Sequence, residues 1–435
     1  MTASGQEGGP ARRPGELRRA GAERPQAPRG TYDVLPDQAA ARVGLEAAAR
    51  RILESAGYRR IETPTFEATE LFARGVGEST DIVQKEMYTF EDAGGRSITL
   101  RPEGTAPVCR AYLEHGMHKL AQPVKLWYLS SCFRQEKPQA GRYRQFWQIG
   151  AEAIGSDDPA VDAETIVLLH ALLGELDVRG LRLRIGSLGS LEARAEYRER
   201  LAAYLHANAE RVSHDVRERI DLNPLRAFDA KDPGTQEVMR GAPRLMETLS
   251  PEDRAHFDEV CALLRAAGID WELDDALVRG LDYYTRTIFE FTSDALGAQS
   301  GVAGGGRYDG LIELIGGPPT PGMGWAAGIE RILLAAGERP VPQPVTDLYV
   351  AHENSAVEAF ALAHEARAAG LAVQLELGGR SLKGQLKQAD RAGARYVAIV
   401  GADGTQLRDM DSGEQEAVPS ASAAVARVIK GRHPA

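Results

Sequence analysis

Hydrophobic and polar positions change period several times along the chain, and each change predicts an element. From Pro36 an Ala-, Leu- and Arg-rich run at helical spacing predicts a long helix ending near Ser55 and stopped by Gly57. A short strand over residues 59 to 63 follows, cut by Pro64. Residues 124 to 154 alternate as two strands joined by a polar loop, 135 to 144, whose Pro, Gly and basic residues suit an exposed hairpin. Between about 190 and 268 the pattern is helical with charged faces and no strand-like alternation, which predicts an inserted helical module. Gly-rich, strand-like sequence returns over 276 to 328 and leads into a helix over 330 to 336. After a proline-rich connector at 338 to 344, residues 348 to 351, 372 to 377 and 396 to 400 read as buried strands alternating with helices.

The predicted organisation is therefore a tail (residues 1–28), a large first domain (29–338), a linker (339–345) and a small α/β domain (346–435). At 435 residues the chain is too long for one ordinary core. The tail has almost no large apolar side chains and cannot offset its ordering entropy, so disorder is expected. An apolar fraction of 43% and a charged fraction of 26% are those of a globular protein. No apolar run approaches the roughly 20 residues a membrane helix requires. Cys109, Cys132 and Cys261 are odd in number and contain no CxxC pair, which points away from zinc and disulfides and towards a reducing cytosol. A net charge of −10 argues against indiscriminate coating of nucleic acid, although local basic patches can still bind it.

Residues 132 to 152 (CFRQEKPQAGRYRQFWQIGAE) pack cations, carboxylates and aromatics into one hairpin. Strand alternation places Phe146, Gln148, Gly150 and Glu152 on one face, either as a pocket floor or as an exposed sheet face with scattered polar groups. Taken singly, Glu330 and Asp309 read as solvated surface carboxylates.

This hairpin resembles motif 2 of the class II aminoacyl-tRNA synthetases. Residues 58 to 67 (YRRIETPTFE) with the preceding helix resemble motif 1, and residues 322 to 333 (GMGWAAGIERIL) resemble motif 3. Two further stretches, 277 to 290 (LVRGLDYYTRTIFE) and 304 to 311 (GGGRYDGL), are similar to the histidine-recognition motifs of the histidyl-tRNA synthetase family. The resemblance runs from Arg29 almost to the C-terminus. It implies an α+β catalytic core on a mainly antiparallel sheet, with a helical insertion and a C-terminal α/β anticodon-binding domain. It also implies ATP-dependent formation of histidyl-adenylate and transfer to histidine tRNA, with Mg2+ accompanying ATP, no zinc and no organic cofactor.

By the same resemblance Arg134 and Arg331 hold phosphates and Arg279 is the catalytic arginine beside the reacting carboxylate. Phe146 stacks on adenine, Glu136 accepts its amino group and Arg142 adds a phosphate contact. Glu103, Thr105 and Gln148 receive the α-amino group, Glu152 and Tyr284 contact the imidazole, and Tyr283 and Tyr308 line the pocket. Fixed arginine forks suit a reaction in which a carboxylate attacks a polyphosphate, because anions converge in the transition state.

Lys383, Lys387 and Arg391 fall at i, i+4 and i+8 on a helix, either tracking tRNA phosphates or forming a solvated face. Lys137 and Gln139 stand where the family contacts the extra 5′ guanosine of histidine tRNA, though a lysine cannot make the bidentate contact of an arginine. Trp147 and Ala303 also depart from residues common in the family. A homodimer is implied through motif 1. One rival is the regulatory subunit of ATP phosphoribosyltransferase, which shares the fold, senses histidine and does not aminoacylate. Retention of Arg134, Arg331 and Arg279 and about 90 residues beyond Pro344 speak against it. A synthetase for threonine or proline is opposed by the LVRGLDYY stretch.

Overall fold

The computed structural model describes residues 24–77, 80–277, 281–297, 300–337 and 345–431. Most of the tail expected at 1–28, the connector at 338–344 and Arg279 lie outside them. The chain divides into two compact units at residue 340.

The first unit begins with helix α1 (Pro36–Ser55), strands β1 (Arg59–Arg60) and β2 (Phe66–Ala68), helix α2 (Thr69–Val76), strands β3 (Tyr88–Glu91) and β4 (Ser97–Leu100), and helix α3 (Thr105–Glu114). The predicted hairpin follows as β5 (Val124–Phe133) and β6 (Gln145–Ile154), then helix α4 (Pro159–Glu175) and strand β7 (Leu181–Ser187). Helices α5 (Leu191–Ala207), α6 (His214–Arg219), α7 (Pro233–Arg240) and α8 (Pro251–Ala266) fill the stretch read as helical, each with a Ser or Asp N-cap whose side chain accepts a backbone N–H. Strands β8 (Glu272–Leu273), β9 (Thr285–Ser293) and β10 (Gly301–Arg307), helix α9 (Leu311–Leu314), strand β11 (Gly322–Gly328) and helix α10 (Ile329–Ala336) complete the unit.

Eight of these strands form one sheet in the order β1-β5-β6-β11-β10-β9-β7-β8, antiparallel except at its two edges. Consecutive residues separate onto its faces as a pleated strand requires. Trp127 packs with α1 and α4 in one core, and its neighbour Tyr128 packs with Tyr283, Tyr308 and the helical insertion in the other. Strand β1 is shorter than the residue 59–63 prediction. Beyond it Ile61 still donates to the Trp127 carbonyl, but Pro64 offers no N–H with which to continue. A separate small sheet joins β2, β4 and β3.

The second unit contains β12 (Thr346–His352), α11 (Ala356–Ala368), β13 (Val373–Leu375), α12 (Leu382–Arg391), β14 (Ala394–Gly401), β15 (Gly404–Asp409), β16 (Gln415–Val418) and α13 (Ala421–Gly431). Its sheet order is β13-β12-β14-β15-β16. Parallel β13, β12 and β14 are the three strands read from the sequence. The antiparallel β15 and β16 escaped that reading because Leu407 is their one buried residue and they carry no apolar alternation. Among the described residues no helix is long and apolar enough to cross a membrane.

Candidate active site

Glu152 on β6 is fully buried, on the sheet face that carries Tyr128 and Tyr283. Thr105 Oγ1 donates to its Oε1 at 2.7 Å and Tyr308 OH donates to its Oε2 at 2.7 Å. Burial pushes the Glu152 carboxyl up to about 8, against the pull of those two hydrogen bonds, and the nearby Glu103 adds to the rise. Glu103 is itself buried and turns back onto the first turn of α3, accepting from Thr105 N at 2.7 Å and Ala106 N at 2.9 Å. Burial raises its carboxyl as well, and Arg134 opposes the rise.

Aromatic rings enclose these carboxyls. Tyr283 lies 4.7 Å from Tyr284 and 5.8 Å from Tyr308, centroid to centroid, and all three rings are buried. Two glycines make the space. A Cβ at Gly324 would fall inside the Glu152 carboxylate, and one at Gly150 would strike the Tyr128 ring and approach the Trp325 carbonyl to 2.8 Å. Gln148, also buried, accepts from the Cys132 thiol at 3.4 Å. The predicted histidine-binding residues Glu103, Thr105, Gln148, Glu152, Tyr283, Tyr284 and Tyr308 thus come together around β6, the α3 N-terminus and the start of β9.

Cations gather beside them. Arg134 Nε donates to the Pro102 carbonyl at 2.9 Å, and its guanidinium lies 5.3 Å from the Phe146 ring centroid. In the hairpin loop Gln139 and Arg142 exchange backbone hydrogen bonds at 3.0 and 2.9 Å around Gly141, whose φ of +72° is the left-handed conformation glycine adopts freely. A Cβ there would lie 3.3 Å from Leu334 and 3.5 Å from Arg331, so the loop tip rests on α10. Arg142 pairs with Glu136 at 3.4 Å, and Arg331 Nε donates to the Gly301 carbonyl at 2.6 Å. Burial followed by the Arg142 charge depresses the Arg331 pKa, while Glu290 and Glu136 oppose the shift. Such a cluster is poised for polyanionic oxygen atoms. Lys137 and Gln139 lie exposed on the same loop. In the other unit, Lys383, Lys387 and Arg391 are exposed along α12, whose Ala389 is buried and whose Leu382 and Leu386 pack against the sheet.

Two structural anchors were not legible in the sequence. Glu330, read singly as a solvated carboxylate, is buried and accepts from Tyr32 OH at 2.6 Å, Arg42 Nη2 at 2.7 Å and the Trp147 amide at 3.2 and 3.1 Å. It thereby fixes α10, and Arg331 on it, to α1 and β6. Arg307 is wholly buried, paired with Asp162 at 2.5 Å and Asp309 at 3.2 Å, and also donates to the Ser156 carbonyl at 2.9 Å. Asp309 accepts from Thr285 at 3.2 Å, so Asp309 too belongs to an internal network that frames Tyr308 and the start of β9. The sequence signal for both is slight: a charged residue beside a glycine-rich strand.

Comparison with known proteins matches residues 30–332 to the family model for histidyl-tRNA synthetase and residues 347–429 to that for an anticodon binding domain. The histidine–tRNA ligase of Thermosynechococcus vestitus is 49% identical over 404 residues, covering 91% of this chain and 94% of that protein. The apo crystal structure of S. aureus histidyl-tRNA synthetase superposes with a TM-score of 0.77 at 35% identity, covering 93% of this chain and 100% of that one. A Bacillus halodurans structure described as an ATP phosphoribosyltransferase regulatory subunit/histidyl-tRNA synthetase shares the fold at 24% identity and a TM-score of 0.63, covering 87% and 98%.

Proposed function

The chain belongs to the histidyl-tRNA synthetase family, and from this we propose that it activates histidine with ATP and transfers the histidyl group to the 3′ end of histidine tRNA. In the first step a histidine carboxylate oxygen attacks the α-phosphorus of ATP, the bond to the β-phosphate oxygen breaks, and pyrophosphate leaves. In the second a terminal ribose hydroxyl of the tRNA attacks the activated carbonyl and AMP leaves. The buried Glu152, held by Thr105 and Tyr308 and facing Glu103, carries the reading that the amino acid is histidine. A pocket that pairs both imidazole nitrogens rejects apolar isosteres strongly, because they leave buried polar groups unpaired.

In this reading Glu152 and Tyr284 take the imidazole, Tyr283 and Tyr308 wall it, and Glu103, Thr105 and Gln148 take the α-amino group. Phe146 stacks on adenine and Glu136 accepts its amino group. Arg134, Arg142 and Arg331 hold the phosphates of MgATP, and Arg279 sits by the reacting carboxylate. Their contribution is electrostatic: fixed cations are set where charge accumulates, and no protein metal site is invoked. Lys137 and Gln139 meet the acceptor end of the tRNA, and Lys383, Lys387 and Arg391 its anticodon arm. We assign a homodimer with α1 and the small sheet in its interface. What supports this is the apolar surface there, where Val43, Phe66 and Phe90 are 66%, 52% and 47% exposed. A cytosolic setting accords with three buried cysteines, none in a disulfide.

The test is histidine-dependent exchange of labelled pyrophosphate into ATP without tRNA, with threonine and proline as controls. Exchange with histidine alone is expected. Histidine binding without exchange would replace the ligase reading with that of a histidine sensor.

A further inference from the structure

The helical insertion grips the histidine-pocket segment at both ends. Ser190 caps α5, and Arg194, one turn further on, is 7% exposed. Its Nη1 donates to the carbonyls of Asp282 at 2.5 Å and Tyr284 at 2.9 Å, and its Nη2 lies 3.7 Å from Asp282 Oδ1. These two carbonyls bracket Tyr283. Asn223, also in the insertion, donates to Asp282 Oδ1 at 3.4 Å.

Two residues beyond Tyr284 lies the second grip. Asp253 on α8 is 2% exposed and accepts from Ser190 N at 3.0 Å, Ser250 Oγ at 3.0 Å and Arg286 Nε at 3.1 Å. One carboxylate therefore joins the first and last helices of the insertion to Arg286. That residue has a φ of +43°, a conformation a non-glycine side chain adopts only when its surroundings hold it there. Between Gly306 and Arg307 the β9–β10 register shifts, a bulge facing this part of β9. Apolar packing is continuous across the same boundary, since Tyr197 and Leu201 of α5 share a core with Tyr283, Tyr284 and Tyr308.

We propose that Arg194 is a positioning residue for histidine selection. Through it the insertion sets the backbone of Tyr283 and Tyr284, and Asp253 with Arg286 fixes the far end of the same segment. An arginine suits the position because its planar fork serves two carbonyls and a carboxylate at once, which a lysine ammonium on a flexible stem cannot reproduce. The proposal rests on the assignment of Tyr283 and Tyr284 to the histidine pocket.

The experiment compares full-length wild-type protein with Arg194→Met and Arg194→Lys in pyrophosphate exchange, titrating histidine and ATP separately. For Arg194→Met the KM for histidine should rise about ten-fold, the scale set by losing one charge-assisted hydrogen bond, with the KM for ATP within about two-fold. Arg194→Lys should fall between it and wild type. Unchanged constants, or histidine and ATP constants rising together, would overturn the inference. Should Arg194→Met fail to fold, Arg194→Lys and Asp253→Asn carry the same comparison against the same two outcomes. Absence of histidine-dependent exchange in the wild type would instead sink the functional reading on which the inference stands.

Discussion

Tyr308 donates to Glu152 across a strand that separates them. Glu152 lies on β6 and Tyr308 just beyond β10, with β11 between. The hydroxyl crosses because β11 is bare there. Gly324 pairs in register with Glu152, Gly322 accepts from the Tyr308 amide at 2.7 Å, and a Cβ at either glycine would overlap Glu152 or the Tyr308 ring. The glycine-rich start of motif 3 is therefore a lane for a hydrogen bond between two other strands.

Gly324→Ala should consequently impair histidine use severely while leaving the nucleotide half of the site in place. The added carbon must displace the Glu152 carboxylate or the strand, a small-to-large change in a packed core that costs about 1–3 kcal/mol before any lost hydrogen bond. A loss of roughly a hundred-fold or more in kcat/KM for histidine is expected, with ATP binding by calorimetry within a few-fold of wild type. Near-normal use of histidine by a folded variant would reject the lane.

Glu152 also predicts a pH dependence. With its carboxyl at about 8, the empty pocket is mostly protonated at pH 7, whereas a free imidazole with a pKa of about 6.5 is mostly neutral. The pair then holds one shared proton on binding, and affinity should be highest between roughly pH 6.5 and 8. It should fall below that window because two protons compete for one place, and above it because none remains. Tyr308→Phe removes a donor that holds the carboxyl down, so the upper limb should move to higher pH; Glu152→Gln should erase that limb. Linkage gives the sign for the empty protein. A carboxyl raised above its ordinary 4.5 contributes fully to stability below that value, and the contribution is lost as pH rises through about 8. Histidine affinity by calorimetry from pH 5.5 to 9.5 checks this, and a flat profile between 7 and 9 would refute the shared proton.

Alternation made the hairpin readable, and Phe146, Gln148, Gly150 and Glu152 stood out because polar and bare positions on one strand face are poor core. The helical insertion and three strands of the second unit followed from period, whereas the mainly antiparallel sheet of the first unit came from the family resemblance. Long-range pairing had no such signal. Glu330 meets Arg42 from 288 residues away, and Arg307 meets Asp162 from 145. Sequence periodicity cannot distinguish such a buried charge from a solvated one. Arg194 reads as one cation on a charged helix until its partners at Asp282 and Tyr284 are seen. The glycines of β11 were visible as composition, but not what crosses them.

Arg331 is predicted to act in the transition state more than in ATP binding. Its guanidinium is half-buried beside Arg142 and anchored by the Gly301 carbonyl, a fixed cation suited to the charge that builds up as pyrophosphate leaves. Arg331→Ala should lower single-turnover adenylate formation by about a hundred- to a thousand-fold, with a much smaller loss of ATP affinity, and Arg331→Lys should restore little. Arg279→Ala should behave likewise from the side of the amino acid. Equal losses in rate and in ATP binding would assign either residue to ground-state binding alone.

The cations of α12 are predicted to separate the two halves of the reaction. Lys383, Lys387 and Arg391 are exposed on one face of a ten-residue helix in the second unit, and residues 347–429 match an anticodon binding domain. Neutralising all three with alanine should leave tRNA-free pyrophosphate exchange unchanged and raise the KM for histidine tRNA. Each phosphate contact contributes a little under one unit to the slope of log affinity against log salt, so that slope should become shallower by about 2. A triple variant with the wild-type KM and the wild-type salt slope would show that this face is merely solvated and that the anticodon arm is met by other residues of the unit.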